Sequence, residues 1–327
     1  MVVGYTKGNL DGDHAGNTSD DIFVAKYAPN GDREWVTQIG ASTVADRGYG
    51  VAVDGAGSVY VTGYTRGVLA GPGNLGDKDV YLLRLAPTGG APTWITQFGT
   101  PGEDKGMAVA AGGGGVYVGG MASGTIGTPL PGTTPGGLDG FLARFDANGA
   151  QTWSRQIGTA ADEQVWGVAA DAAGNATVAG YTSGDLFATQ QGDKDIVVAT
   201  FDPAGALTLH DQLGTIGNDK GASVALDAAG NTYVSGFSDG NLETNIGNFD
   251  AVIVKYGPGL TRQWARQFGT TESDGADAFA EGNVFLATHG DRIWASGFTL
   301  GSTATQTQAG NGDVFLTSFD AQGANLG

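Results

Sequence analysis

The sequence predicts an all-β chain folded as a β-propeller of four-stranded antiparallel blades, six of them, and three observations carry that expectation. A strand-like phrase with a glycine in its middle returns six times: VVGYTKG at 2–8, VYVTGYTRG at 59–67, VYVGGMA at 116–122, TVAGYTSG at 177–184, YVSGFSDG at 233–240 and WASGFTLG at 294–301. A second phrase runs Phe or Tyr, turn, Trp, as Tyr27 to Trp35, Phe145 to Trp153 and Tyr256 to Trp264; Leu85 to Trp94 is one residue longer, and Leu209 stands in the Trp place after Phe201. Successive members of this series lie 59, 59, 56 and 55 residues apart, a period near 57, long enough for four short strands. The 59 glycines disfavour long helices, while 40% hydrophobic residues suffice for a real core.

Residues 47–104 show the elements in order. GVAVD at 50–54 is joined by GAG to SVYVTGYT at 58–65, and the glycine in the fourth place of Asp-x-x-Gly suits a tight hairpin that needs positive φ; DAAGN at 171–175 and 227–231 repeats the turn. The third run, DVYLLRL at 79–85, has the equivalents DIFVAKY, DGFLARF, DIVVATF, DAVIVKY and DVFLTSF, and ends in turns such as APNG at 28–31 and DPAG at 202–205. The fourth run carries the Trp, followed by Gln, an apolar residue and Gly at Gln38, Gln97, Gln156, Gln212 and Gln267. A blade cannot bury its apolar face alone, so each copy presents the same packing surface to the next. The glycine of the second run, at 4, 63, 120, 180, 236 and 297, marks a bulge or the close approach of a neighbouring backbone. A β-helix is the structural competitor, but its repeat of ~20–30 residues is too short. The units run 1–46, 47–104, 105–163, 164–219, 220–274 and 275–327 within one domain. The first opens inside a second strand and the last stops short of a fourth, which predicts irregular closure or a segment of a longer propeller.

Composition narrows the function. The net charge of −18 arises from 34 acidic against only 16 basic residues, spread along the chain rather than in an acidic tail. Phosphate-backbone affinity rests on Lys and Arg, so nucleic acid and anionic membrane surfaces are poor partners. The absence of cysteine removes disulfides, thiolate metal sites and thiol nucleophiles. The start, MVVGYTKGNLDGD, has neither a basic nor a long apolar segment, so no signal peptide is expected in these residues, and the uncharged run 106–138 is broken by Gly and Pro, which argues against membrane insertion.

No catalytic constellation emerges. His14, His210 and His289 fall at unrelated places of the repeat, no Gly-x-Ser-x-Gly is present, and the glycines of 112–120 lie between strands rather than before a helix. Two series of carboxylates recur. Asp21, Asp79, Asp139, Asp195, Asp250 and Asp313 each open a third strand, where they are expected to accept backbone N–H bonds from the preceding loop. Asp46, Asp104, Glu163, Asp219 and Asp274 are expected in the connections between units; with the first strand innermost they would circle one mouth of a channel, a candidate calcium site, although Arg47, Lys105 and Lys220 stand next to three of them as possible ion-pair partners. The loop LDGDHAGNTSDD at 10–21 puts Asp11, Asp13 and Asn17 at positions 1, 3 and 7 of a calcium-loop template but has Ala15 at the fifth and Ile22 in place of the closing Glu. Trp35, Trp94, Trp153 and Trp264 suggest sugar stacking; their replacement by Leu209 in one unit favours packing between blades.

The phrases GVAVDGAGSVYVTGYT, GDKDVYLLRLAPTGG and TWITQFGTPGEDKG, in that order, resemble the SBBP repeat of bacterial β-propellers, named for a seven-bladed form, and the resemblance extends over nearly the whole chain. The last unit departs from it: EGNVFLATHGDRIWASGF at 281–298 follows an extra GADAFA and lacks the Asp-x-x-Gly turn. The resemblance implies an exported or surface-associated bacterial setting and no defined enzyme activity or catalytic residues. The leading expectation is a non-enzymatic scaffold whose loops at 8–20, 67–78, 122–138, 183–194, 239–249 and 299–312 bind a protein or cell-surface component; the alternatives are a glycan or small-ligand module, with calcium as its possible cofactor, and a lyase or hydrolase using the channel.

Overall fold

The computed structural model describes residues 1–12, 19–41, 43–71, 73–275, 284–302 and 312–327. Among them every regular element is a strand, and the strands form six sheets, the blades of a six-bladed β-propeller. The first sheet holds β1 (Val2–Thr6), β2 (Asp21–Tyr27) and β3 (Arg33–Ile39); the second β4 (Asp46–Val53), β5 (Val59–Thr65), β6 (Asp79–Leu85) and β7 (Trp94–Phe98). The third holds β8 (Asp104–Gly112), β9 (Gly115–Ala122), β11 (Asp139–Phe145) and β12 (Gln151–Ile157), plus β10 (Thr128–Pro129), a short fifth strand lying parallel to β12 that the sequence pattern left within a loop. The fourth holds β13 (Glu163–Ala170), β14 (Ala176–Thr182), β15 (Asp195–Phe201) and β16 (Leu207–Leu213); the fifth β17 (Asp219–Leu226), β18 (Thr232–Ser238), β19 (Asp250–Gly257) and β20 (Thr261–Phe268); the sixth β21 (Phe285–His289), β22 (Arg292–Thr299) and β23 (Asp313–Asp320). No helix is long and apolar enough to cross a membrane, which leaves strands out of account.

First strands begin earlier than their apolar pattern. The sequence places the first run at Gly50, but β4 starts at Asp46, because a bulge separates its two halves: Gly48 pairs with Gly63, Tyr49 is skipped, and Gly50 pairs with Thr62. Met107 and Ala222 are skipped in the same way in β8 and β17. An inserted residue moves every later side chain to the other face, so no single alternation spans these strands. The bulge also explains the glycine opposite. A Cβ on Gly63, Gly120 or Gly236 would overlap the carbonyl oxygen of Arg47, Lys105 or Lys220, so bulge and close backbone approach coincide there.

By packing, the chain divides into two compact units: Met1–Val165 with Ala170–Ala176 and Pro203–Gly205, and Trp166–Ala169 with Thr177–Asp202 and Ala206–Gly327. In the first, Ile22 and Val24 pack on Val59, Val61, Tyr81 and Leu83 of the next blade, while Val80 and Leu82 pack on Phe141, Ala143 and Phe145 of the one after. In the second, Ile196 and Val198 meet Val252 and Val254, and Ala251 and Ile253 meet Ile293, Ala295 and Phe319. Alternate residues of a third strand thus face the preceding and the following blade. Burial on both faces is why these strands read as nearly continuous apolar runs opened by Asp.

Candidate functional site

In five blades the connection from second to third strand is held at both ends by the same pair of side chains. In the second blade, Gln97 donates from Nε2 to Asp79 Oδ2 at 2.8 Å and to Gly67 O at 2.9 Å, while its Oε1 accepts the Leu69 and Ala70 amides; Asp79 Oδ2 also accepts the Leu75 amide. One buried Gln therefore ties the entry of loop 67–78 to its exit. The arrangement recurs as Gln38 with Asp21 and Leu10, Gln156 with Asp139 and Ile126, Gln212 with Asp195 and Phe187, and Gln267 with Asp250 and Glu243. Asp139, Asp195 and Asp250 also accept loop amides from Gly136, Gln191 and Ile246, the role expected of the first acidic series. The glutamine's role was not anticipated from the sequence. It was available as spacing: each Gln follows its Asp by 17 residues, or 18 in the second blade. What the clamp encloses differs from blade to blade, and Leu10, Val68, Leu75 and Ile246 expose apolar surface there.

The second acidic series is buried; Asp46, Asp104, Glu163 and Asp219 open first strands rather than lying in the connections, whereas Asp274 stands between β20 and β21 and bridges Thr299, in the connection where the sequence placed it. Asp46 accepts the amide of Ala41, five residues earlier, while Asp104, Glu163, Asp219 and Asp274 each close a tighter turn, accepting the amide and hydroxyl of a Thr four residues earlier. Their own amides donate to the carbonyls of Asp20, Lys78, Leu138, Lys194 and Phe249, so these five junctions share one main-chain bond. The two acidic series consequently meet. A methyl group on Gly99 would stand 2.8 Å from Asp104 Oδ2 and 2.9 Å from Asp79 Oδ1. Burial raises Asp46 from 3.8 to about 6, with Asp21 adding repulsion against the opposing bonds from Thr65, Ala41 and Arg66. Burial also raises Asp104 and Asp219, which face Asp79 and Asp195.

The adjacent basic residues pair elsewhere. Arg47 binds Asp20 at 2.7 Å, Lys105 binds Glu103, and Lys220 lies over the rings of Tyr181 and Phe237. Successive residues of a strand point to opposite faces, so neither Arg47 nor Lys105 turns toward the acid before it. Asp11 accepts the Gln38 amide at 2.8 Å; Asp13, His14 and Asn17 lie outside the described residues. Among the described residues, no group of three or more His, Asp or Glu is placed to hold a metal ion. His210 stacks on Phe187 at 4.4 Å between ring centres, and His289 ends β21.

The Trp series packs between blades. Trp35, Trp94, Trp153 and Trp264 donate from Nε1 to the carbonyls of Pro87, Ala147, Pro203 and Ala321 in the next blade's turn. Their rings lie against Gly89, Gly149, Gly205 and Gly323, all at positive φ, where a side chain would collide with the indole. In the fifth blade's turn, which follows the unit that carries Leu209, the same position is Leu260, the one described non-glycine residue at positive φ, and it packs on the core that holds Val198, Val252 and Tyr256. With one face on a backbone turn and the N–H engaged, these indoles are poor platforms for a sugar.

Residues 34–69 match the SBBP β-propeller repeat. No curated protein matches the chain. Among solved structures, a protein of unknown function from Bacteroides caccae is similar over 99% of this chain and 91% of its own, with 13% identity and a TM-score of 0.50. The hydrazine synthase of Kuenenia stuttgartiensis is similar over 85% and 69%, again with 13% identity and a TM-score of 0.50. A Trypanosoma rangeli sialidase in complex with sialic acid is similar over 99% of this chain and 54% of that one, at 9% identity and a TM-score of 0.50. At such identities the likeness shows the fold alone.

Proposed function

We propose that the chain is a non-enzymatic scaffold whose second-to-third-strand loops bind a protein or cell-surface component within a bacterial secreted or surface assembly. The Gln–Asp clamp carries this reading: one buried device holds five loops of unlike sequence in the same way, so their content varies without disturbing the blades. The acids that could have served catalysis or a metal are occupied by turn amides, and apolar side chains exposed on the loops suit a protein partner. The secreted setting rests on the match of residues 34–69 to the SBBP repeat, a resemblance that implies an exported or surface-associated bacterial protein.

Exchanging residues 68–74 with 185–190 tests this, because both segments lie inside intact clamps. The wild-type and exchanged chains, immobilised, are each exposed to the same extract of cell-surface proteins and the captured sets compared. The expected outcome is different captured partners with Tm values within about 3 °C, roughly 1 kcal/mol for a chain of this size. Identical partners would remove the loops from recognition, and loss of folding would show that their sequences belong to the frame.

A further inference from the structure

Two buried carboxyls face each other where the second blade joins the third. Asp79 Oδ2 accepts the Gln97 and Leu75 bonds of the loop clamp, but Asp79 Oδ1, equally buried, accepts no hydrogen bond. Asp104, also fully buried, accepts the Thr100 amide at Oδ2, the Thr100 hydroxyl at both oxygens and the Ser123 amide at Oδ1. The orphaned Asp79 Oδ1 and Asp104 Oδ2 lie 2.9 and 2.8 Å from one point, the place a methyl group on Gly99 would take. The joint between the fifth and sixth blades repeats this. Asp274 Oδ2 and Asp250 Oδ1 lie 2.5 and 3.0 Å from the methyl position of Gly269, and Asp250 Oδ1 again accepts nothing. Around Asp79 and Asp104 the charged neighbours are turned to one another: Lys78 and Lys105 both bind Glu103, and Arg66 lies 3.6 Å from Asp77. The other elements bring neutral groups, Thr65 from β5, Gln97 from β7 and Ser123 after β9. Among the described residues no Lys, Arg or His binds either acid.

We propose that Asp79 and Asp104 share a single proton, held between Asp79 Oδ1 and Asp104 Oδ2, and that the pair is a pH-sensitive catch joining the anchor of loop 67–78 to the first strand of the next blade. The other charge states are worse. Two ionised carboxylates would repel each other in a buried place with no counter-charge, and two neutral ones would offer the Thr100, Ser123, Leu75 and Gln97 donors only weak acceptors. One proton gives the orphaned oxygen its partner and leaves one negative charge for those donors. Calcium fits poorly, because it takes about six to eight oxygens and the pair turns two toward a common point. Burial raises Asp104 most, and the charge of Asp79 adds to it, against the bonds from Thr100 and Ser123. A carboxyl raised in this way binds its proton more tightly in the folded chain than in the unfolded one. Its support for folding is therefore complete below about pH 4 and is lost as the pH rises through the folded value. Asp79 belongs to both the catch and the clamp, so release of the proton reaches loop 67–78 through Oδ2. None of this depends on what the loop binds.

The test begins with the unaltered full chain, whose aspartate carboxyl carbons are assigned and titrated by NMR. Asp79 and Asp104 are expected to titrate together in two steps, one of them above the range of exposed aspartates. Two separate titrations within the ordinary range would overturn the proposal whatever any variant does. Asp79→Asn then separates sharing from burial. Its amide nitrogen takes the place of Oδ1, which accepts nothing, while its oxygen keeps the Gln97 and Leu75 bonds, so an N–H stands in for the shared proton at every pH. The raised step is expected to vanish from Asp104 in this variant; a step that stays raised would mean that burial alone sets it, and the proposal falls. Urea unfolding supplies the second readout. Between about pH 5 and about pH 8 the parent is expected to lose up to about tenfold in its folding equilibrium, relative to the variant, for each pH unit above the release of the proton. Exchange of the Leu75 amide, corrected for the intrinsic effect of pH, is expected to quicken over the same range in the parent only. A constant ratio between parent and variant would remove the catch. Calcium or sodium that restores the parent to the variant's stability at the higher pH would also overturn the proposal, by giving the place between the acids to a cation.

Discussion

Gly120 shows what single positions in this chain are for. A Cβ there overlaps Lys105 O and comes within 2.9 Å of the Phe141 ring, and neither the bulged strand nor the buried ring has room to yield. Gly120→Ala is expected to destabilise by about 3 kcal/mol, read as a shift of the urea midpoint, whereas Gly55→Ala, with nothing within 4 Å, serves as the control that hardly moves it. The recurrence of this glycine was legible in the sequence; the carbonyl that requires it was not, because it lies across a bulge. Asp46 makes a second residue-scale prediction. Its carboxyl, pushed up by burial to about 6 from 3.8, binds its proton more tightly in the folded chain than in the unfolded one. Its contribution therefore favours folding below about pH 4 and is lost as the pH rises through about 6. Asp46→Asn is expected to be more stable than the parent at pH 7 by roughly 1–3 kcal/mol and equal to it near pH 4, as measured by urea unfolding at the two pH values. A gap of the same size at both would mean that the lost hydrogen bonds, not the charge, decide the effect.

At the scale of the element, the third strands were the most legible and the first strands the least. DVYLLRL keeps one apolar run because both faces are buried, whereas a bulge at Tyr49 hides half of β4 from any alternation rule. The loops were recognised as variable, but their anchoring was not, since a polar Gln in a repeat reads as a surface residue until its Asp is seen beside it. Gln97→Ala tests the anchor. It strands the Leu69 and Ala70 amides and half the hydrogen bonding of Asp79 Oδ2. The expected cost is about 1–3 kcal/mol, with faster proteolytic cleavage inside 67–78 and little change in the exchange of the β5 and β6 amides. Cleavage at the parental rate would mean that the loop is held by its own turns.

At the scale of the whole molecule, stability in a repeat fold is close to a sum over blades and their junctions, so five junctions that share one main-chain bond and one acid account for the tolerance of sequence drift between copies. Leu209 illustrates that tolerance: the Trp is gone, Leu260 stands where the other turns have a glycine and packs on the core, and the blade remains. The sequence by itself determined the class, the period, the order of strands within a blade and the packing role of Trp, because these depend on local alternation and on identity between copies. Only the tertiary structure decided that Gln and Asp form a clamp, that members of the two acidic series meet, and that Arg47 and Lys105 turn to other partners. Those facts depend on residues brought together from different strands and different blades, and no pattern read along one chain contains that distance.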